Sequence, residues 1–270
     1  MKHLLAGLTV ISTSLAAATA LTRPHPQAGA LLPQTSSTPV VVELFTSEGC
    51  SSCPPADALL ARLDGAQLKE NVRLIALEEH VDYWNDGGWV DPFSSPDWTS
   101  RQWVYAGILG NRNAYTPQMV VDGTTEFVGN HPDKAHDAIL KAANKTKIPV
   151  TMIPGISKGR DKENISAKVG KLEGSTKGDA AEVWLAITET GLHSSVTRGE
   201  NAGEDLHHAA IVRSMRKIGE AKGDAETCFL GYASVPLKKE WKRENLKAVL
   251  FVQEKKSRRI LGAAEIRIAE

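Results

Sequence analysis

The chain has 270 residues, with Lys and Arg balancing Asp and Glu at 32 each. At about 150 residues per domain, that length fits two domains or one large one. Zero net charge leaves no basic footprint for a nucleic acid or an acidic membrane surface, so neither is expected as a partner.

The N-terminus reads as a processing signal. Lys2 and His3 make a short basic region, Leu4 to Ala18 an apolar one, and Ala18-Thr19-Ala20 fits a small-x-small cleavage site. The apolar stretch is short for a membrane span and is broken by Thr and Ser, so an uncleaved anchor is the lesser alternative. Removal at Ala20 would leave no membrane span and place the mature chain in the periplasm or outside the cell, where disulfides persist. Residues 21–38 are rich in Pro, Ser, Thr and Ala, a linker composition.

"PVVVELFTS" (Pro39 to Ser47) reads as a buried strand. "ADALLARLDG" reads as a helix, with Leu59, Leu60 and Leu63 on one side and a stop at Gly65. A second strand covers Val72 to Leu77. "SPDWTSRQWVYAGILG" reads as a helix capped by Ser95, with Pro96 at its first position and Trp103, Ala106 and Ile108 facing inward. "QMVVDGTTEFVG" is a hairpin around Asp122-Gly123. "HPDKAHDAILKAANK" is a helix burying Ala135, Ile139 and Ala142. The first strand, helix and strand form a β-α-β unit, with parallel strands and a right-handed crossover. The remainder is a series of short runs with partial alternation between polar turns, the pattern of a β sandwich. The expected division is a signal peptide at 1–20, a linker at 21–38, an α/β domain at 39–147 and a β-rich domain at 148–270.

Three cysteines are present: Cys50, Cys53 and Cys228. The first two lie in "TSEGCSSCPPAD", between strand and helix. A helix start turns backbone N–H groups toward the sulfur and favours the thiolate, the attacking species in disulfide exchange. Cys50 is then the exposed nucleophile and Cys53, one turn in, resolves the mixed disulfide. The hydroxyls or amides of Ser51 and Ser52 could donate to the Cys50 sulfur. Pro54 and Pro55 lose no helical hydrogen bond at a helix start, yet Pro54 disfavours helical geometry at Cys53. Thr116-Pro117, just before the hairpin, is a candidate cis peptide that presents the Thr116 backbone to a substrate. Glu43, on the strand leading to the site, is a candidate proton acceptor for Cys53.

The stretches "VVVELFTSEGCSSCPPAD", "HVDYW", "DPFSSPDWTSRQWVYA", "YTPQMVVDG" and "GENAGEDLHHAAIVRSM" carry a resemblance. The order strand, C-S-S-C, helix, then T-P-hairpin and helix, resembles the thioredoxin superfamily. More closely, the chain is similar to an uncharacterised family of secreted bacterial thioredoxin-like proteins, a domain of unknown function. The resemblance implies an α/β thioredoxin-like fold, a mixed sheet flanked by helices, ahead of the β-rich sandwich-like part. It also suggests thiol-disulfide chemistry, but no substrate; such chemistry needs no cofactor and calls for a protein or small-molecule thiol or disulfide and a redox partner.

Three alternatives remain open on the residues. Cys50 and Cys53 could instead form an inert staple, but a four-residue loop stabilises little. With His80 they could hold Cu or Zn. The chain could also be a secreted binding protein without catalysis. Trp84, Trp89, Phe93, Trp98 and Trp103 form an aromatic-rich insertion that could pack a satellite core or cover Cys50. His207 and His208 are adjacent on a strand, so they point apart and cannot share a metal. Cys228 reads as a buried free thiol.

Overall fold

The structure is a computed structural model, and it describes residues 37–66, 68–155, 159 and 161–268. The signal segment and nearly all of the linker lie outside the described residues.

The elements run β1 (Thr38–Thr46), α1 (Pro54–Leu63), β2 (Val72–His80), α2 (Pro96–Leu109), β3 (Gln118–Val121), β4 (Thr125–Val128) and α3 (Pro132–Ala143). Strands follow: β5 (Val150–Pro154), β6 (Lys162–Gly170), β7 (Ala181–Glu189), β8 (Leu192–Ser195), β9 (Asp205–His208), β10 (Ile211–Ala221), β11 (Thr227–Pro236), β12 (Leu246–Glu254) and β13 (Ile260–Arg267). As the β-α-β reading requires, β1 and β2 are parallel, paired from Thr38 with Val72 to Thr46 with His80. The hairpin adds β3 antiparallel to β1, turning at Asp122 and Gly123, whose φ angles are +48° and +66°. Only glycine fits at the second turn position, because a Cβ there would meet the Arg258 carbonyl oxygen at 1.9 Å.

The expected α/β thioredoxin-like fold, a helix-flanked mixed sheet with a sandwich appended, is not what the chain forms. Strands hold 42% of the described residues and helices 19%. One eight-stranded mixed sheet, in the order β13-β12-β7-β10-β2-β1-β3-β4, runs through both parts of the sequence. The join is at β2, where the Glu78 N–H donates to the Ala210 carbonyl and Ile211 pairs with Glu78. A separate three-stranded sheet, β11-β6-β5, packs on the C-terminal part around Ile165, Val183, Leu185 and Leu250. Among the described residues, the α-helices α1, α2 and α3 all belong to the N-terminal part. α1 and α3 bury Leu60, Ala135 and Ile139 against Val42, Leu44 and Leu74. Which distant strand completes an open sheet edge depends on non-local pairing, which periodicity does not encode.

α2 starts and stops as expected. The Ser95 hydroxyl accepts from the Asp97 N–H, and Gly110 ends the helix in the left-handed region at φ +83°. Its buried face, however, is not the apolar one. Trp103 and Ile108 are exposed, while Trp98, Arg101, Gln102, Tyr105 and Ala106 are buried. Arg101 and Tyr105 are drawn inward by Glu43, so charge pairing overrides the hydrophobic pattern.

Candidate functional site

Cys50 and Cys53 are joined as a disulfide, with Cα atoms 5.4 Å apart. Two tight turns place them: the Cys50 N–H donates to the Ser47 carbonyl, and the Cys53 N–H to the Cys50 carbonyl. Cys53 adopts helical angles (φ −80°, ψ −39°) despite the proline after it and serves as the N-cap of α1. The double proline therefore begins the helix at Pro54. It also removes the two N–H groups that a helix start would otherwise turn toward a sulfur. The next two, on Ala56 and Asp57, donate to the Cys53 carbonyl. The hydroxyl of Ser52 lies 3.4 Å from the Cys50 sulfur.

Cys50 is not exposed: its accessibility is 1%, and that of Cys53 is 0%. The connection between β8 and β9 covers the pair. The Asn201 side-chain amide donates to the carbonyls of Glu48 (2.8 Å) and Cys50 (3.1 Å), and the Ser51 N–H donates to Glu200 (3.1 Å). Gly199 abuts Trp89. Trp84 packs on Gly49, where any side chain would meet it at 3.1 Å, and its indole N–H donates to the Thr116 hydroxyl at 2.8 Å. One side chain thus spans from the disulfide loop to Thr116-Pro117, whose peptide bond is cis. Trp98 is buried in the core, and Trp103 lies exposed on α2.

Glu43 and His80 are held elsewhere. Residues alternate across β1 and β2, so Glu43 faces α2, away from α1. There it accepts from Arg101 (2.6 Å) and the Tyr105 hydroxyl (2.6 Å). His80 faces α1, but its partners are Asp91 at 2.7 Å and Glu78 at 3.6 Å. The acid that accompanies Cys53 is Asp57, one helical turn on and on the same face, accepting from the Thr46 hydroxyl at 2.6 Å. Burial raises its pKa, the Glu78 charge adds to that, and the pull of His208 and Thr46 leaves it at about 7.

Asp57 borders a buried polar cluster that sequence reasoning missed. His208 bonds Glu78 through Nδ1 (2.9 Å) and Glu48 through Nε2 (3.1 Å). Burial lowers the pKa of His208, but the Glu78 charge and these hydrogen bonds outweigh it and raise it to about 9. His80 is raised as well: burial opposes, and Asp91 prevails. Burial raises Glu78 and Asp91, yet His208 and His80 respectively hold them below the usual carboxylate range. The Trp89 indole donates to Glu48, and Phe93 packs edge-on against both imidazoles. The visible signal was the alternation in "LEEH" and "DLHH", which sends Glu78, His80 and His208 inward while His207 stays exposed. Cys228 is buried and free, as expected.

The family model for proteins of unknown function designated DUF1223 matches residues 41–253. The chain belongs to this family. The match spans the disulfide loop, the cluster and most of the large sheet. Among solved structures, the chain is similar to protein AGR_C_4864 from Agrobacterium tumefaciens, at 25% identity and a TM-score of 0.62, over 87% of this chain and 96% of that one. It is also similar to HBP35 of Porphyromonas gingivalis, at 16% identity and a TM-score of 0.66, over 86% of this chain and 76% of that one. The latter likeness is one of fold. No curated protein matches the chain. Among the described residues, no helix is long and apolar enough to cross a membrane.

Proposed function

We propose that this DUF1223 protein carries out thiol-disulfide exchange through Cys50 and Cys53 outside the cytosol. The observation that carries this reading is the closed pair at a three-residue separation, set between β1 and the first turn of α1. So small a loop stabilises a 270-residue chain little, so a purely structural role explains it poorly. The N-terminal signal pattern fits a compartment where a disulfide persists.

In the exchange, a substrate thiolate attacks the Cys50 sulfur. The Cys50–Cys53 bond breaks, a mixed disulfide forms on Cys50, and Cys53 leaves as the thiolate. A second substrate thiol displaces Cys50, so two substrate thiols become a disulfide and the protein pair becomes a dithiol. The reverse sequence reduces a substrate disulfide, with Cys50 attacking and Cys53 resolving. Asp57 exchanges the proton with Cys53, the role that position on β1 first assigned to Glu43; a pKa of about 7 suits transfer in both directions. Thr116 and Pro117, tied to the disulfide loop through Trp84, would present the Thr116 backbone to a substrate. Entry requires the 199–203 segment to lift, because it covers Cys50.

The test is trapping. Reduced Cys53→Ala protein, offered oxidised thiol substrates, should accumulate mixed disulfides on Cys50 that mass spectrometry resolves. Finding none, together with a Cys50 that stays unalkylated after mild reduction, would sink the proposal.

A further inference from the structure

We propose that Glu78, His80 and His208 form a binding site for one divalent transition-metal ion of the zinc class, separate from the cysteine pair. Among the described residues, these three place one ligand atom each within 4.8 Å of one another, and all three are buried. Two of them share the inward face of β2, and β9 brings in the third.

The orientation of the rings is the main argument. Each imidazole is backed on one nitrogen by a carboxylate: His80 Nδ1 by Asp91 at 2.7 Å, and His208 Nε2 by Glu48 at 3.1 Å. Each presents its other nitrogen to the same oxygen, Glu78 Oε1, at 3.6 Å and 2.9 Å. A carboxylate behind each ring fixes the tautomer and raises the basicity of the inner nitrogen, the usual outer shell of a metal-bound histidine. Glu78 is itself anchored by its second oxygen, which accepts the Ala209 N–H at 3.0 Å and leaves Oε1 to face the rings.

His80 supplies the independent observation. Its Nε2 is fully buried and has no hydrogen-bond partner. If Nε2 carries a proton, it meets Glu78 Oε1 only across 3.6 Å, too long for a good hydrogen bond; if it does not, its lone pair is unmet. Buried polar atoms are rarely left so. An ion bonded to Nε2 satisfies it and offsets the charges of Glu48, Glu78 and Asp91, which otherwise need protons on both rings. Two imidazoles and a carboxylate, without sulfur, suit Zn²⁺ and its neighbours. Bonds of about 2.1 Å put tetrahedral ligands roughly 3.4 Å apart. The two Glu78 separations bracket that figure, and no pair needs to close by more than about 1.4 Å. Phe93, edge-on to both rings at 5.5 and 5.6 Å, shields the site from solvent.

The test uses the full chain, freed of metal by chelation and titrated with Zn²⁺ alone. The expected result is one ion per chain, with an absorption-edge spectrum showing a nitrogen and oxygen first shell. His80→Gln and His208→Gln should each weaken binding at least 100-fold, and Asp91→Asn about 10- to 100-fold through the outer shell. Replacing both Cys50 and Cys53 by Ser should leave binding unchanged, which keeps this result independent of thiol exchange. Absence of stoichiometric binding, a sulfur shell, or binding indifferent to both histidine variants would overturn the site. Should the histidine variants fail to fold, the first-shell spectrum of the unaltered chain decides by itself.

Discussion

The β1–β2 pair carries a buried charged cluster on each face, and the two are built from different chemistry. Toward α2, Glu43 and Glu79 meet Arg101, which also reaches Gln253 of β12, while Gln253 donates to the Tyr105 hydroxyl. Toward α1, Glu48, Asp57, Glu78 and Asp91 meet His80 and His208. A guanidinium stays charged at any working pH, so the first cluster is a fixed tie between the two ends of the sequence. In the second cluster burial holds Asp57 at about 7, so it gains and loses a proton near neutral pH, while the neighbouring carboxylates keep both imidazoles charged there. One cluster ties β1, α2 and β12 together, and the other adjoins the disulfide loop.

The largest expected effect comes from breaking the fixed tie. Arg101→Ala leaves Glu43 buried without its cation and should cost about 3–5 kcal/mol in denaturant unfolding. The thiol potential should change little if the two clusters are independent.

Asp57 gives the opposite sign. Its folded pKa of about 7 lies above the ordinary value of 3.8, so the native state holds a proton that the unfolded chain loses. Stability therefore falls as pH rises from about 4 to 7 and levels off above that, a cost on the order of 2–4 kcal/mol. Asp57→Asn removes that cost. Urea unfolding should show the variant matching the unaltered protein near pH 4 and exceeding it at pH 8. Its rate of resolving mixed disulfides should lose its inflection near pH 7.

The legibility of these regions differs for a physical reason. Local features were readable: the β1-α1-β2 unit, the Ser95 cap, the Asp122-Gly123 turn and the buried face of α3 all follow from short-range pattern and turn chemistry. The disulfide loop and the cis Thr116-Pro117 were also legible. Contacts between distant residues were not. The β10 strand that closes on β2, Asn201 over Cys50, and His208 beside Glu78 come from 130 or more positions away. Arg101 misled the reading of α2 because its buried partners lie on β1 and β12, invisible to helical periodicity. The paired acids of "LEEH" find their reason here, one pointing into each cluster.

A smaller effect concerns access. Asn201→Ala removes two hydrogen bonds that hold the cover over Cys50, worth about 1–2 kcal/mol together. Alkylation of reduced Cys50 should quicken roughly 5- to 30-fold, read by timed mass spectrometry. Smallest of all is Arg73→Ala, which breaks a half-exposed pair with Glu265 and should change stability by about 1 kcal/mol or less.

The most direct measurement is a redox titration of the full chain in thiol-disulfide buffers, with Cys50 and Cys53 counted by mass spectrometry at each point. Exchange chemistry predicts a reversible two-electron transition with a potential above about −300 mV. A pair that stays oxidised well below that value, or that reduces only on unfolding, would contradict it and leave Cys50–Cys53 a structural bond.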